Sequence, residues 1–371
     1  MFRRYFYLHL TLFLFVFLCF GGSKLLAQDA EAHQKKGYEL IQAGKLDEAV
    51  TEFQAALKAN PKDIASHVGL AQAYQLQGKL EDSIRAYRAA LEINPREPNF
   101  WANLGAVLLQ AEKSEEALVA FRRAADLAPH QSRPLVGIGD ACLQLRRYDD
   151  AREAYIRALG FEPDNPLIHQ ALGRLYDQQE RWTEAVREYQ AALRLRPDFR
   201  PARLALAATY NSMKKYAEAM KEAQALLSAN ESDLDARHAL AVAYEGLERR
   251  DEAIREYHKI LEANPRLPFI WGNLGWTLYG AGKYTEAIEA SRKALEIDEK
   301  LAYVRFNLGL IYAIQGDWEN AKKEYMAALS LAQPSDTRAA IQDIQEALKK
   351  EPHVAALKEA LKMLEANRGR K

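Results

Sequence analysis

Cysteine is nearly absent. The 371-residue chain has two, Cys19 and Cys142, so it can close at most one disulfide, and its stability must come from packing. Net charge is absent as well. The 51 Lys and Arg residues balance 51 Asp and Glu, and no basic stripe stands out, which argues against a nucleic acid partner. No HExxH, GxSxG or GxGxxG motif occurs. The nearest approach to a phosphate loop is Gly280-Ala281-Gly282-Lys283. It has Thr277 where an earlier glycine is required and Tyr284 in place of Ser or Thr, and it reads as a turn between helices. The carboxylates look spread over solvated faces rather than paired. These absences point to a chain without catalytic machinery, metal or cofactor.

Long apolar runs occur only at the N-terminus. Arg3 and Arg4 precede a mainly apolar stretch from Tyr5 to Phe20, Gly21 and Gly22 break it, and Leu25-Leu26-Ala27 offers a cleavage site before Gln28. Residues 1–27 therefore read as an export signal. The alternative is an uncleaved membrane anchor, although the stretch falls short of the ~20 apolar residues of a spanning helix. Lipid attachment at Cys19 is disfavoured by the bulk of Leu18 before it. Either reading places the rest of the chain outside the cytoplasm, periplasmic or secreted, with any membrane contact made through this segment. After cleavage Cys142 would be alone.

What is present is a 34-residue period that runs from Ala30 to Ser335 without insertion or deletion. The nine copies begin at Ala30, Ile64, Pro98, Ser132, Pro166, Arg200, Leu234, Pro268 and Ala302. Position 8 is always small, from Gly37 and Ala71 to Gly275 and Gly309, and position 20 is Ala in every copy but the second, which has Ser83. Small residues there let two helices approach closely. Position 24 usually supplies bulk: Phe53, Tyr87, Phe121, Tyr155, Tyr189, Tyr257 and Tyr325. Position 32 is proline in six copies, which stops a helix and turns the chain. Apolar residues recur at helical spacing on two segments of each copy, as at Leu104, Val107 and Leu108, then Ala117, Ala120, Phe121 and Ala124. Each copy is thus a helical hairpin that buries its apolar face only by stacking on the next.

This pattern resembles the tetratricopeptide repeat. Copy three carries the family's residues as Trp101, Leu104, Gly105, Ala117, Phe121, Ala124 and Pro129, and copy eight as Trp271, Leu274, Gly275, Ala287 and Ala294. The resemblance implies an all-α, right-handed superhelical solenoid of nine antiparallel helix pairs, over residues 28–335, with a concave groove that binds proteins or peptides. Residues 336–371 break the period. Ala339, Ile341, Ile344 and Leu348 suggest one capping helix and Val354, Leu357, Leu361 and Leu364 another, followed by a basic end at Arg368, Arg370 and Lys371. Copies six and seven depart from the pattern. Ala223 replaces the aromatic, Leu226 and Ile260 replace a small residue, and Glu231 replaces the proline, which predicts an altered packing angle and a softer joint.

His33, His67 and His169 share position 4 with Trp101 and Trp271. Packing is the favoured reading, because no nearby Cys or carboxylate pattern completes a metal site. Cys142 stands where other copies have tyrosine and reads as a small buried hydrophobe. Asn230-Glu231-Ser232 is a glycosylation sequon.

In the family, positions 2, 5, 9, 12 and 13 tend to face the groove. Copies eight and nine place Phe269, Trp276 and Tyr279, then Tyr303, Phe306 and Leu310, on this set of positions. Such an aromatic cluster is where a binding hot spot is expected. Asn273 and Asn307 at position 6 could bond a ligand's backbone. The alternative is that the capping helices fold over these residues and make them core. The leading functional reading is a non-catalytic scaffold that holds a protein or peptide in its groove. The second is an assembly or targeting subunit that works through its convex face or by self-association. An enzyme of the sugar-transferase kind would need a separate catalytic domain, for which the 36 residues from Asp336 to Lys371 are too few.

Overall fold

The computed structural model describes residues 29–367, which contain twenty helices and no strand. The proposed signal or anchor, with Cys19, and the basic end at Arg368, Arg370 and Lys371 lie outside the described residues. Two compact units divide between Arg181 and Trp182. The division falls inside copy five, and not at copies six and seven where the pattern weakens.

The first unit holds α1 (29–42), α2 (Leu46–Ala59), α3 (Ile64–Leu76), α4 (Leu80–Ile93), α5 (Pro98–Gln110), α6 (Ser114–Leu127), α7 (Ser132–Gln144), α8 (Tyr148–Phe161) and α9 (Pro166–Gln178). The second holds α10 (Trp182–Leu195), α11 (Arg200–Ser212), α12 (Tyr216–Ala229), α13 (Leu234–Gly246), α14 (Arg250–Ala263), α15 (Pro268–Gly280), α16 (Tyr284–Ile297), α17 (Ala302–Ile314), α18 (Trp318–Leu331), α19 (Pro334–Lys350) and α20 (Ala355–Ala366). Within each unit consecutive helices pack on one another as antiparallel pairs.

The same backbone device ends every first helix. Position 15 is left-handed in all nine copies. It is glycine in the outer four (Gly44, Gly78, Gly282, Gly316) and Glu112, Arg146, Glu180, Lys214 or Glu248 in the inner five. The next N–H reaches five residues back, as Lys79 to the Tyr74 carbonyl at 2.9 Å and Lys283 to Leu278 at 2.9 Å. This satisfies a carbonyl left orphaned at the helix end. Gly282 confirms the 280–283 segment as a turn.

Between helices, the position-24 ring enters a notch of small residues. A Cβ built on Gly37 or Gly69 would come within 2.7 or 2.4 Å of the Phe53 ring, and one on Gly105 or Gly137 within 2.9 or 2.3 Å of Phe121. The two phenylalanine rings therefore fit between position 8 of their own copy and position 6 of the next because both positions lack side chains. Copy six makes the complementary change. Ala223 replaces the ring and clusters with Ala207 and Ala239, which stand where Gly105 and Gly137 flank Phe121. Leu226, at 6% exposure, is buried as well. Cys142 is fully buried, and burial pushes its thiol pKa up.

α19 and α20 pack on α17, and α20 also on α18. Ile341, Ile344, Leu357 and Leu364 form one core with Phe306, Leu310 and Tyr325. α19 starts at Pro334, one residue before the period ends at Ser335.

Candidate functional site

Position 4 has a structural task. Its side chain donates to the carbonyl at position 32 of the preceding copy: His67 Nε2 to Pro61 at 3.0 Å, Trp101 Nε1 to Pro95 at 2.9 Å, Trp271 Nε1 to Pro265 at 2.9 Å, Arg203 Nη2 to Pro197 at 2.7 Å. A carbonyl can only accept, so His67 carries its proton on Nε2. Where position 4 is basic, position 23 tends to be glutamate. His33 pairs with Glu52 at 2.6 Å, Arg203 with Glu222 at 2.6 Å, Arg237 with Glu256 at 2.5 Å and Arg305 with Glu324 at 2.9 Å. These ties account for the histidines at this position. Among the described residues no group of three or more His, Cys, Asp or Glu side chains could hold a metal ion.

The first-helix face of the first unit is polar. Asp140 accepts from the Tyr155 hydroxyl at 2.8 Å and pairs with Arg174. Burial raises the Asp140 carboxyl pKa against the lowering pull of both partners. A cavity of about 340 Å³ opens here, walled by Leu109, Gln110, Leu143, Gln144 and Gln178. Asn103 is occupied by Arg133, whose Nη2 donates at 2.6 Å.

The second unit places an aromatic patch on α13, α15 and α17. The His238 ring meets Phe269 edge-on at 5.8 Å, and its Nε2 lies 3.3 Å from Asn273 Nδ2. Burial lowers the pKa of His238 against an opposing pull from Asp235. Trp276 lies 5.1 Å from Tyr279, which continues to Tyr284 at 6.1 Å. Burial pushes the Tyr279 hydroxyl up to about 12, with Tyr284 and Asp343 adding to it. Gly272 leaves room for Tyr303, since a Cβ there would stand 2.7 Å from the tyrosine oxygen.

Exposure divides the predicted residues. Phe269 is 45% and Tyr303 38% exposed. Asn273, Trp276, Tyr279 and Asn307 are half-buried. Phe306 and Leu310, at 4% and 2%, lie in the core shared with α19 and α20 and are out of reach of a ligand. The cap thus covers the middle of α17, while Trp276 and Tyr279 of α15 pack against the same core and keep part of their surface. Asn273 already engages His238, whereas Asn307 makes no side-chain hydrogen bond among the described residues. His238 was not evident from the sequence. A histidine at position 5 gains meaning only once it is seen beside Phe269 and Asn273.

A second opening lies between α4 and α6, on the side carried by the second helices. Leu91, Trp101, Leu104, Leu108, Val119 and Ala120 line a cavity of about 480 Å³. Arg88 and Glu116 pair across its rim at 2.7 Å. The same joint between copies three and four carries Asp150 and Glu153 with Arg122 and Arg157 instead.

In-phase helical hairpins with a patterned first-helix face define a stacked-repeat protein of the binding-scaffold kind. Models of the tetratricopeptide repeat match residues 35–98, 68–132, 108–175, 178–233, 234–267 and 302–334, and one of the TPR repeat matches 277–316. The chain belongs to the tetratricopeptide repeat family. No curated protein matches it in sequence. Among solved structures, the Cut9–Hcn1 hetero-tetramer of APC/C is similar over 86% of this chain and 59% of its own, at 16% identity and a TM-score of 0.55. Pseudomonas aeruginosa pilF is similar over 57% of this chain and 96% of its own, at 20% identity and a TM-score of 0.47. YrrB, a TPR protein with an unusual peptide-binding site, is similar over 47% of this chain and 90% of its own, at 19% identity and a TM-score of 0.40. These likenesses concern the fold.

Proposed function

We propose that the chain is a non-catalytic scaffold that acts outside the cytoplasm and holds a protein or peptide on the first-helix face of copies seven to nine. The observation that carries the reading is the open part of the aromatic patch. Phe269, Trp276, Tyr279 and Tyr303 keep exposed area on one face, where apolar surface gains most from a partner. Asn307 supplies an unused amide for a ligand's backbone. The placement outside the cytoplasm rests on the export-like character of residues 1–27. A photo-reactive phenylalanine analogue at Tyr303 is expected to crosslink a partner in the native host, and one at Arg255 on a second helix is not. Crosslinks from Arg255 alone would reject the reading. Protease added to intact, outer-layer-stripped cells is expected to digest the chain.

The joint cavity favours a second reading, an assembly subunit that works through its second helices. Val119 is 66% exposed at position 22, where the other copies have Thr51, Arg85, Glu153, Arg187, Lys221, Arg255, Glu289 and Lys323. A partner's apolar side chain would fit beside Trp101. Val119→Glu would then abolish assembly, read by light scattering, and leave crosslinking at Tyr303 unchanged.

A further inference from the structure

The aromatic patch is bordered by carboxylates, and a guanidinium at its edge, that of Arg250 against Gly280, reaches it from α14. Positions 2, 5, 9, 12 and 13 of copies seven to nine include Asp235 and Glu245 but no lysine or arginine. His238 among them is held toward its neutral form by burial. Asp235 is engaged by Arg200 at 2.7 Å. Glu245 is half-buried and has no ion-pair partner among the described residues. The nearest cation that acts on it is Arg250, whose guanidinium pairs at 3.9 Å with Glu248.

The second-helix tyrosines show where these carboxylates stand. Tyr155 reaches through its hairpin to Asp140 on the first-helix face. Tyr257 does the same in copy seven, and its buried hydroxyl lies beside Glu245 without a well-formed hydrogen bond. In copy nine the buried Tyr325 hydroxyl is also unpartnered, and Asp343 of α19 acts on both it and Tyr279. Asp343 is half-buried, and it too has no ion-pair partner among the described residues. Burial raises the pKa of both carboxyls, on Glu245 against a lowering pull from Tyr257, Thr277 and Arg250. Tyr279, on which Asp343 acts, stands at the position of copy eight that Glu245 holds in copy seven, and its ring lies 5.1 Å from that of Trp276 at an angle of 42°. Partly buried carboxylates without an ion-pair partner, on a face that carries aromatic rings, suit a cation on both counts.

We infer that the partner segment is basic: a lysine or arginine side chain seats against Trp276 and Tyr279 and is neutralised by Glu245 and Asp343. This rests on the groove reading above and narrows it. An acidic tail or a free terminal carboxylate would meet like charge in this face and be rejected.

A random peptide library displayed on phage and selected on the immobilised full chain tests it. The selected peptides are synthesised, and their affinities are measured against wild type, Trp276→Ala and the isosteric pair Glu245→Gln/Asp343→Asn, each checked for folding by circular dichroism. Enrichment of Lys or Arg is expected, with at least a tenfold loss when that residue becomes glutamine. A similar loss is expected on the Glu245→Gln/Asp343→Asn chain, and none there for the glutamine peptide. Peptides that need Trp276 yet are neutral or acidic, and ignore the carboxylate changes, would overturn the inference and leave the groove reading standing. Selection of no peptide that needs Trp276 would overturn both.

Discussion

Gly137→Ala adds one methyl group to the middle of α7. The new carbon would lie 2.3 Å from Phe121 Cε1, 2.4 Å from Cδ1 and 2.6 Å from Cζ. Unstrained carbons sit about 3.5–4.0 Å apart. Phe121 is 4% exposed and is already held on its other side by Gly105, so the ring has no outward path. Overpacking of this kind costs about 1–3 kcal/mol, and more when backbone must move. Against that stands the helix preference for Ala over Gly, about 0.8–1 kcal/mol. Gly160 in α8 provides the control, because it is exposed and nothing lies within 4 Å of its added Cβ. Gly160→Ala is therefore expected to stabilise by up to about 1 kcal/mol, while Gly137→Ala destabilises by up to about 2 kcal/mol net. Urea unfolding followed by circular dichroism reads the sign. Amide exchange across α5 to α7 localises it, since repeat arrays depart from two-state behaviour. Replacing Phe121 by Ala in the Gly105→Ala/Gly137→Ala background copies the Ala207–Ala223–Ala239 arrangement of copy six. It should cost less than the sum of the separate changes. A Gly137→Ala protein as stable as Gly160→Ala would refute the notch.

Arg237→Ala leaves Glu256 buried. Losing one partner of such a pair costs about 3–5 kcal/mol, and Lys259, 2.9 Å from Glu256, keeps the loss at the low end. Lys113→Ala, which breaks the exposed pair with Glu81, should cost under about 1 kcal/mol by the same urea assay. Arg200 holds the Asp233 carboxyl below the usual range, aided by the Ala236 N–H. That contribution is complete above the unfolded value of about 3.9 and is lost as pH falls through the lower folded value. Asp233→Asn should therefore flatten the acid limb of stability in copies six and seven, measured by amide exchange against pH. Gly282→Ala, at φ 75°, should destabilise by about 1 kcal/mol in thermal unfolding with no loss of helix content.

The stacking was legible because it is local and repeated: positions 8, 20, 24 and 32 report packing and turns within one copy or across one joint. The task of position 4 was hidden. Its carbonyl partner lies in the preceding copy and its Glu partner, 19 residues on, in the second helix, so the two columns mean little apart. Reading His33 with Glu52 and Arg237 with Glu256 together would have shown it. The cap was legible as two amphipathic helices, but a periodic apolar face does not name what it covers. That choice separates Phe306 and Leu310, which are core, from Trp276 and Tyr279, which keep accessible surface.

The affinity of the crosslinked partner for three purified variants tests the central claim most directly. The account predicts that Trp276→Ala weakens binding at least tenfold, about 1.4 kcal/mol, while Val119→Glu and Arg255→Ala leave it unchanged. Full affinity in Trp276→Ala, with loss in Val119→Glu, would contradict the account and move the binding surface to the second helices.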